Sequence, residues 1–158
     1  MRGLDKHRAL LVFSITAAVL AVLLLLTTGV SGEVDSITHF QFAKYALKHP
    51  ELYVHHWGKP LFTILCSPLA QFGYTGAMIF NLIGGLASGW FVYQITSKMG
   101  YRYAWLASAF TVFIPLYLFV MFSSLTEILF SLVLISSIYL FIDKRYIWSA
   151  VVISLIPF

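Results

Sequence analysis

The chain has 158 residues, 60% of them hydrophobic and only 10% charged, with ten Lys/Arg against six Asp/Glu for a formal charge of +4. Soluble domains carry roughly 25% charged residues, so charges this few cannot solvate so much apolar surface, and a soluble enzyme or a disulfide-stapled secreted module is excluded. The surplus positive charge forms no basic stripe, which excludes a nucleic-acid-binding domain.

The charges cluster between long uncharged stretches, Ala9 to Val30, Pro60 to Ser97 and Tyr103 to Thr126. About 20 apolar residues cross a bilayer as a helix, so the sequence predicts an all-α, polytopic transmembrane helix bundle. The first span is expected over about 9–28, following Arg2, Lys6 and Arg8. Its apolar run exceeds the ~7–15 residues of a signal-peptide core and has no clean cleavage site, so it reads as an uncleaved anchor. An external loop, 31–59, follows. Within it Ile37, Phe40, Ala43 and Leu47 recur at helical steps opposite Gln41, Lys44 and Lys48, which predicts an amphipathic surface helix between Ser36 and His49, ended by Pro50.

Pro60, Pro68 and the Phe72-Gly73-Tyr74-Thr75-Gly76 break divide the next stretch into a short interfacial or re-entrant helix, 60–71, and a second span, 75–97. The second span carries Gly85-x-x-x-Gly89 and Ser88, a small-residue face suited to tight packing inside the bundle. A third span is expected over 104–122 with a kink at Pro115, and a fourth over 125–142. A fifth starts at Tyr146 and is incomplete at 158. It is about 20 Å long at ~1.5 Å per residue, short of the ~30 Å hydrocarbon core, so the chain reads as the N-terminal part of a larger protein. Alternating spans put Arg2, Lys6, Arg8, Lys98, Arg102, Lys144 and Arg145 on one side, which the positive-inside rule makes cytoplasmic. Cys66, the single cysteine, reads as a small packed residue.

The external loop holds Glu33, Asp35, four of the five histidines and three lysines. Asp35 suits the N-cap of the surface helix, or a general base at the membrane surface with Glu33 beside it. Two carboxylates this close also suit a divalent cation. Lys59 is either an interfacial lysine or a point charge for a phosphate. Glu127 is the only charge between Tyr103 and Ile142. Ser124-Leu125-Thr126-Glu127 matches a capping box, while an ionisable group at a membrane segment is also a functional hypothesis. Asp35 and His39 share a helical face, but no zinc-site spacing accompanies them.

An acidic Glu33-Val34-Asp35 after the first span, Gly58-Lys59-Pro60-Leu61 at the re-entry and Leu125-Thr126-Glu127-Ile128 at the third-to-fourth turn together resemble the N-terminal part of the GT-C superfamily. These are integral-membrane glycosyltransferases, and the nearest likeness is to protein mannosyltransferase and aminoarabinose transferase types. The resemblance spans nearly the whole chain as one transmembrane domain, 1–158. It implies an inverting enzyme that moves a sugar from a polyprenyl-phosphate donor to an acceptor hydroxyl at the outer face of the cytoplasmic membrane. It implies Asp35 as base, with Glu33 able to share or take the role, and Lys59 near the donor phosphate. Glu127 becomes a second-loop carboxylate, with a divalent metal at Asp35 and Glu127 as an option. Relatives often have Asp-Glu or Asp-x-Asp in the first motif and a second Pro after Lys-Pro, and this chain departs from both. The partners so implied are a lipid-linked sugar, membrane lipid and an unidentified acceptor. The other readings are a transporter or flippase-like bundle with Glu127 and Asn81 along a path, and a non-catalytic membrane subunit.

Overall fold

The computed structural model describes residues 2–27 and 34–156. Glu33, the start of the predicted loop at 31–33 and the last residues of the first and fifth predicted spans lie outside them. The described residues form helices and no strand: α1 (Arg2–Leu26), α2 (Val34–Tyr45), a 3₁₀ turn (Pro50–Val54), α3 (Pro60–Ala70), α4 (Tyr74–Lys98), α5 (Ala104–Val112), α6 (Pro115–Met121), α7 (Glu127–Ile142) and α8 (Tyr146–Ile153). Two helices, α1 from Lys6 and α4, are long and apolar enough to cross a membrane, and α5 with α6 makes a third if the bent pair is one span. Outward-facing Leu11, Ile15, Val22 and Leu25 leave α1 apolar around most of its circumference, as a lipid-facing helix requires. α7 has 16 residues, fewer than the ~20 of a straight span.

The 63° bend between α5 and α6 has its cause in Pro115. Proline has no N–H to donate and clashes with the preceding turn, so α5 stops at Val112. Ile114 is extended (φ −59°, ψ 124°) as a pre-proline residue should be, and Pro115 opens α6 at its first position.

α4 is the central helix, in contact with α1, α3, α5, α6 and α7. Its small residues permit this. A Cβ at Gly85 would lie 2.5 Å from the Met121 Cε, and one at Gly89 would lie 3.2 Å from the Ser108 carbonyl oxygen. The stripe therefore receives α5 and α6 at close range, in keeping with the packing role expected of Gly85-x-x-x-Gly89. Asn81, fully buried, donates from Nδ2 to the carbonyls of Ser123 (2.8 Å) and Leu125 (2.9 Å) and so fastens the α6–α7 turn to α4. At the Lys98 end of α4, Lys98 pairs with Asp143, which also meets Arg145 at 3.0 Å.

α2 packs on α3, as a surface helix between the first two long helices would, but with a different face inward. Ser36, His39, Ala43 and Ala46 are buried, whereas Ile37 and Leu47 are exposed. Small and hydrogen-bonding residues set the contact: the Ser36 Oγ accepts the Ser124 N–H (2.8 Å) and shares a 2.6 Å hydrogen bond with the Tyr74 hydroxyl. Those two bonds orient α2, and its large aliphatic side chains are left pointing away.

Candidate functional site

Asp35 lies inside the first turn of α2 and is exposed. The N-cap role does not apply, because the helix begins at Val34. Its carboxylate instead sits in the first turn, near the positive end of the helix dipole.

Lys59 precedes α3 in the left-handed region (φ 51°, ψ 89°). A non-glycine residue there is strained by roughly 1–2 kcal/mol, so its surroundings must hold it. Thr63 does so twice, donating its N–H to the Lys59 carbonyl (3.0 Å) and its hydroxyl to the Gly58 carbonyl. Pro60 adds a fixed φ at the next residue. Strain of this kind concentrates where a side chain must point in one direction for function. Lys59 lines a cavity of about 260 Å³ whose remaining walls include Phe62, Thr126, Phe130, Val133 and Ile156. The result is an apolar slot with a cation at its edge.

Glu127 is the first residue of α7, with Thr126 at the cap position. The capping box of Ser124 with Glu127 is not formed. The Ser124 N–H is taken by the Ser36 Oγ, and the Ser124 hydroxyl makes no hydrogen bond. The turn has been drawn toward α2 and α4 by Ser36 and Asn81, which leaves Glu127 exposed at the mouth of a second cleft of about 510 Å³ lined by Leu116, Tyr117, Val120 and Leu125.

These three residues come from distant parts of the chain, and all act on one imidazole. His39 is 7% exposed, stands edge-on to Phe62 at 5.9 Å between ring centroids, and has a buried Nδ1 without a hydrogen-bond partner. Burial lowers its proton affinity most; the charges of Asp35 and Glu127 oppose that, and Lys59 adds to it. The sequence signal for His39 is slight, its place one turn after Asp35 on the same helical face. The other charges that act on it come from residues 59 and 127, too far along the chain for spacing to reveal.

The remaining loop histidines interact locally. His55 stacks on His56 at 4.6 Å, and His49 meets Glu51 at 3.3 Å. Among the described residues no three His, Cys, Asp or Glu side chains form a metal-holding group. Asp35 and Glu127 remain two carboxylates around one histidine.

Among the described residues the fold is all-helical, with two helices long and apolar enough to cross a membrane and titratable side chains on α2, on α7 and just before α3. No family model, curated protein or solved structure matches this chain.

Proposed function

We propose that this protein is, or is part of, a multi-pass membrane glycosyltransferase of the GT-C kind, using a polyprenyl-phosphate sugar at the outer face of the cytoplasmic membrane. The observation that carries the reading is the apolar slot edged by Lys59, with Asp35, Lys59 and Glu127 all within electrostatic range of His39. A lipid-linked sugar phosphate has matching chemistry, with an apolar chain, an anionic phosphate and a sugar in order along one molecule.

In the reaction the acceptor oxygen attacks the anomeric carbon and the bond from that carbon to the phosphate oxygen breaks, inverting the centre. Asp35 takes the hydroxyl proton as general base. The polyprenyl phosphate leaves with its bonding electrons, and its growing charge is stabilised by Lys59. The phosphate is its own good leaving group and needs no general acid. Glu127 is a second carboxylate for orienting the acceptor, and a divalent cation held with Asp35 is the alternative source of positive charge. Glu33 stays a candidate to share the basic role.

Transfer from a polyprenyl-phosphate sugar by the full-length protein tests the assignment. Asp35→Asn and Lys59→Ala are each expected to lower turnover by about 10²–10⁴-fold, with Lys59→Arg partly active. Unimpaired turnover in both would remove it. A rate abolished by EDTA and restored by magnesium or manganese would move the charge-stabilising role to a metal.

A transporter reading has one observation in its favour, the broken α5–α6 pair. Against it, Asn81 is engaged with two backbone carbonyls rather than lining a path.

A further inference from the structure

We infer that the joined ends of α4 and α7 form a docking surface for an anionic phospholipid, whose headgroup phosphate is met by Lys144 and Arg102. This surface lies at the other end of α4 from Lys59 and is independent of the transferase reading.

The two helices stop in the same way. After α4, the Gly100 N–H is donated to the Ser97 carbonyl (3.1 Å) and the Tyr101 N–H to the Thr96 carbonyl (3.1 Å). After α7, the Lys144 N–H goes to the Phe141 carbonyl (3.0 Å) and the Arg145 N–H to the Leu140 carbonyl (2.9 Å). That pair of bonds puts a left-handed residue at its apex, a place usually taken by glycine. Gly100 takes it after α4 (φ 82°), but Lys144 takes it after α7 (φ 61°). A side chain kept at a strained position calls for a reason beyond the turn itself. A basic residue that only set the topology would serve equally well one position along, and Arg145 already places a cation at the same helix end. The charges around Lys144 supply the reason. Asp143 is shared between Lys98 and Arg145, which joins the two helix ends. Arg102 and Lys144 are exposed and belong to no ion pair among the described residues. Four cations against one carboxylate leave these two turns strongly positive. Exposed Tyr101, Tyr103 and Trp148 flank them, and Arg102 lies 5.4 Å from the Tyr103 ring centroid. Rings of this kind settle at headgroup depth, where basic side chains attract the phosphates of anionic lipids. Lysine is a point charge suited to a phosphate oxygen, and arginine can grip two at once.

Binding of dioleoyl phosphatidylglycerol and of dioleoyl phosphatidylcholine to the full-length protein, in neutral-detergent micelles at low salt, tests this by native mass spectrometry. The unsubstituted protein is expected to bind the anionic lipid about tenfold more tightly. Lys144→Gly and Arg102→Gln should each lose roughly fivefold of that preference, whereas Lys144→Arg should keep it. Glycine suits the turn better than lysine, so the thermal midpoint of Lys144→Gly in phosphatidylcholine should hold or rise, which reports a folded protein. Lys48→Gln, an exposed lysine of the other end, should leave the preference unchanged. Equal binding of the two lipids by the unsubstituted protein overturns the docking surface, and so does a preference undiminished in Lys144→Gly. An equal loss in Lys48→Gln overturns it too, by making the preference one of net charge. Displacement of phosphatidylglycerol by millimolar inorganic phosphate, but not by chloride of the same ionic strength, would assign the cations to a soluble anion and overturn the lipid.

Discussion

At the scale of single residues, the site depends on which groups keep their charge. An unfolded histidine titrates near 6.5, and burial sets His39 below that, opposed by Asp35 and Glu127. In the interval between the two values only the unfolded chain takes up the proton, so the fold loses stability as pH falls through the ordinary histidine range and is unaffected well above it. The thermal midpoint in detergent is therefore expected to drop between pH 8 and pH 5, and to drop less in His39→Gln. Parallel pH profiles for the two proteins would contradict a depressed His39. Glu127 is legible in the sequence as the only charge between Tyr103 and Ile142, and Asp35 and Lys59 because they belong to the one charged loop between long uncharged stretches. His39 is not, since an imidazole inside a predicted surface helix has nothing in its spacing to distinguish a buried position from a wet one.

At the scale of elements, one asparagine fixes where the α6–α7 turn sits. Asn81→Leu keeps the branching and heavy-atom count but leaves the Ser123 and Leu125 carbonyls without their donors. Interhelical hydrogen bonds within membranes average about 0.6 kcal/mol and reach about 1.7, so the loss of both is expected to cost roughly 1–2 kcal/mol in reversible unfolding from mixed micelles. Turnover should fall further than stability, because the same turn holds Glu127. An Asn81→Leu protein with unchanged stability would show that the turn is held by other contacts. Helix order, the break at Pro115 and the small-residue face of α4 follow from local sequence, because proline geometry and glycine spacing act within one or two turns. The inward face of α2 and the failed Ser124–Glu127 capping box do not. Both are decided by the bond from Ser124 to Ser36, 88 residues apart, and tertiary contacts of that reach overrule local periodicity.

For the molecule as a whole, the arrangement of charge reflects what a bilayer permits. Lipid tails are as apolar as leucine, so hydrophobic burial does little to associate helices there. Close packing and hydrogen bonds take its place, which is why α4 meets its neighbours through Gly85, Gly89 and Asn81. Charges are then confined to the two ends. Asp35, Lys59 and Glu127, whose charges reach His39, lie at one. Lys98, Asp143 and Arg145 pair at the other, where Lys98 also lies 4.3 Å from the Tyr139 ring centroid. If the second cluster is cytoplasmic, as the positive-inside rule expects of the seven basic residues grouped on that side, the proposed site faces outward. Single-cysteine labelling decides this. Cys66 is buried and replaced by alanine, and the exposed positions Lys48→Cys and Lys144→Cys are probed in intact cells with a membrane-impermeant maleimide. Lys48→Cys is expected to label directly and Lys144→Cys only after permeabilisation. The reverse pattern would invert the protein and turn the site toward the cytoplasm, and labelling of both in intact cells would break the alternating spans on which the orientation rests.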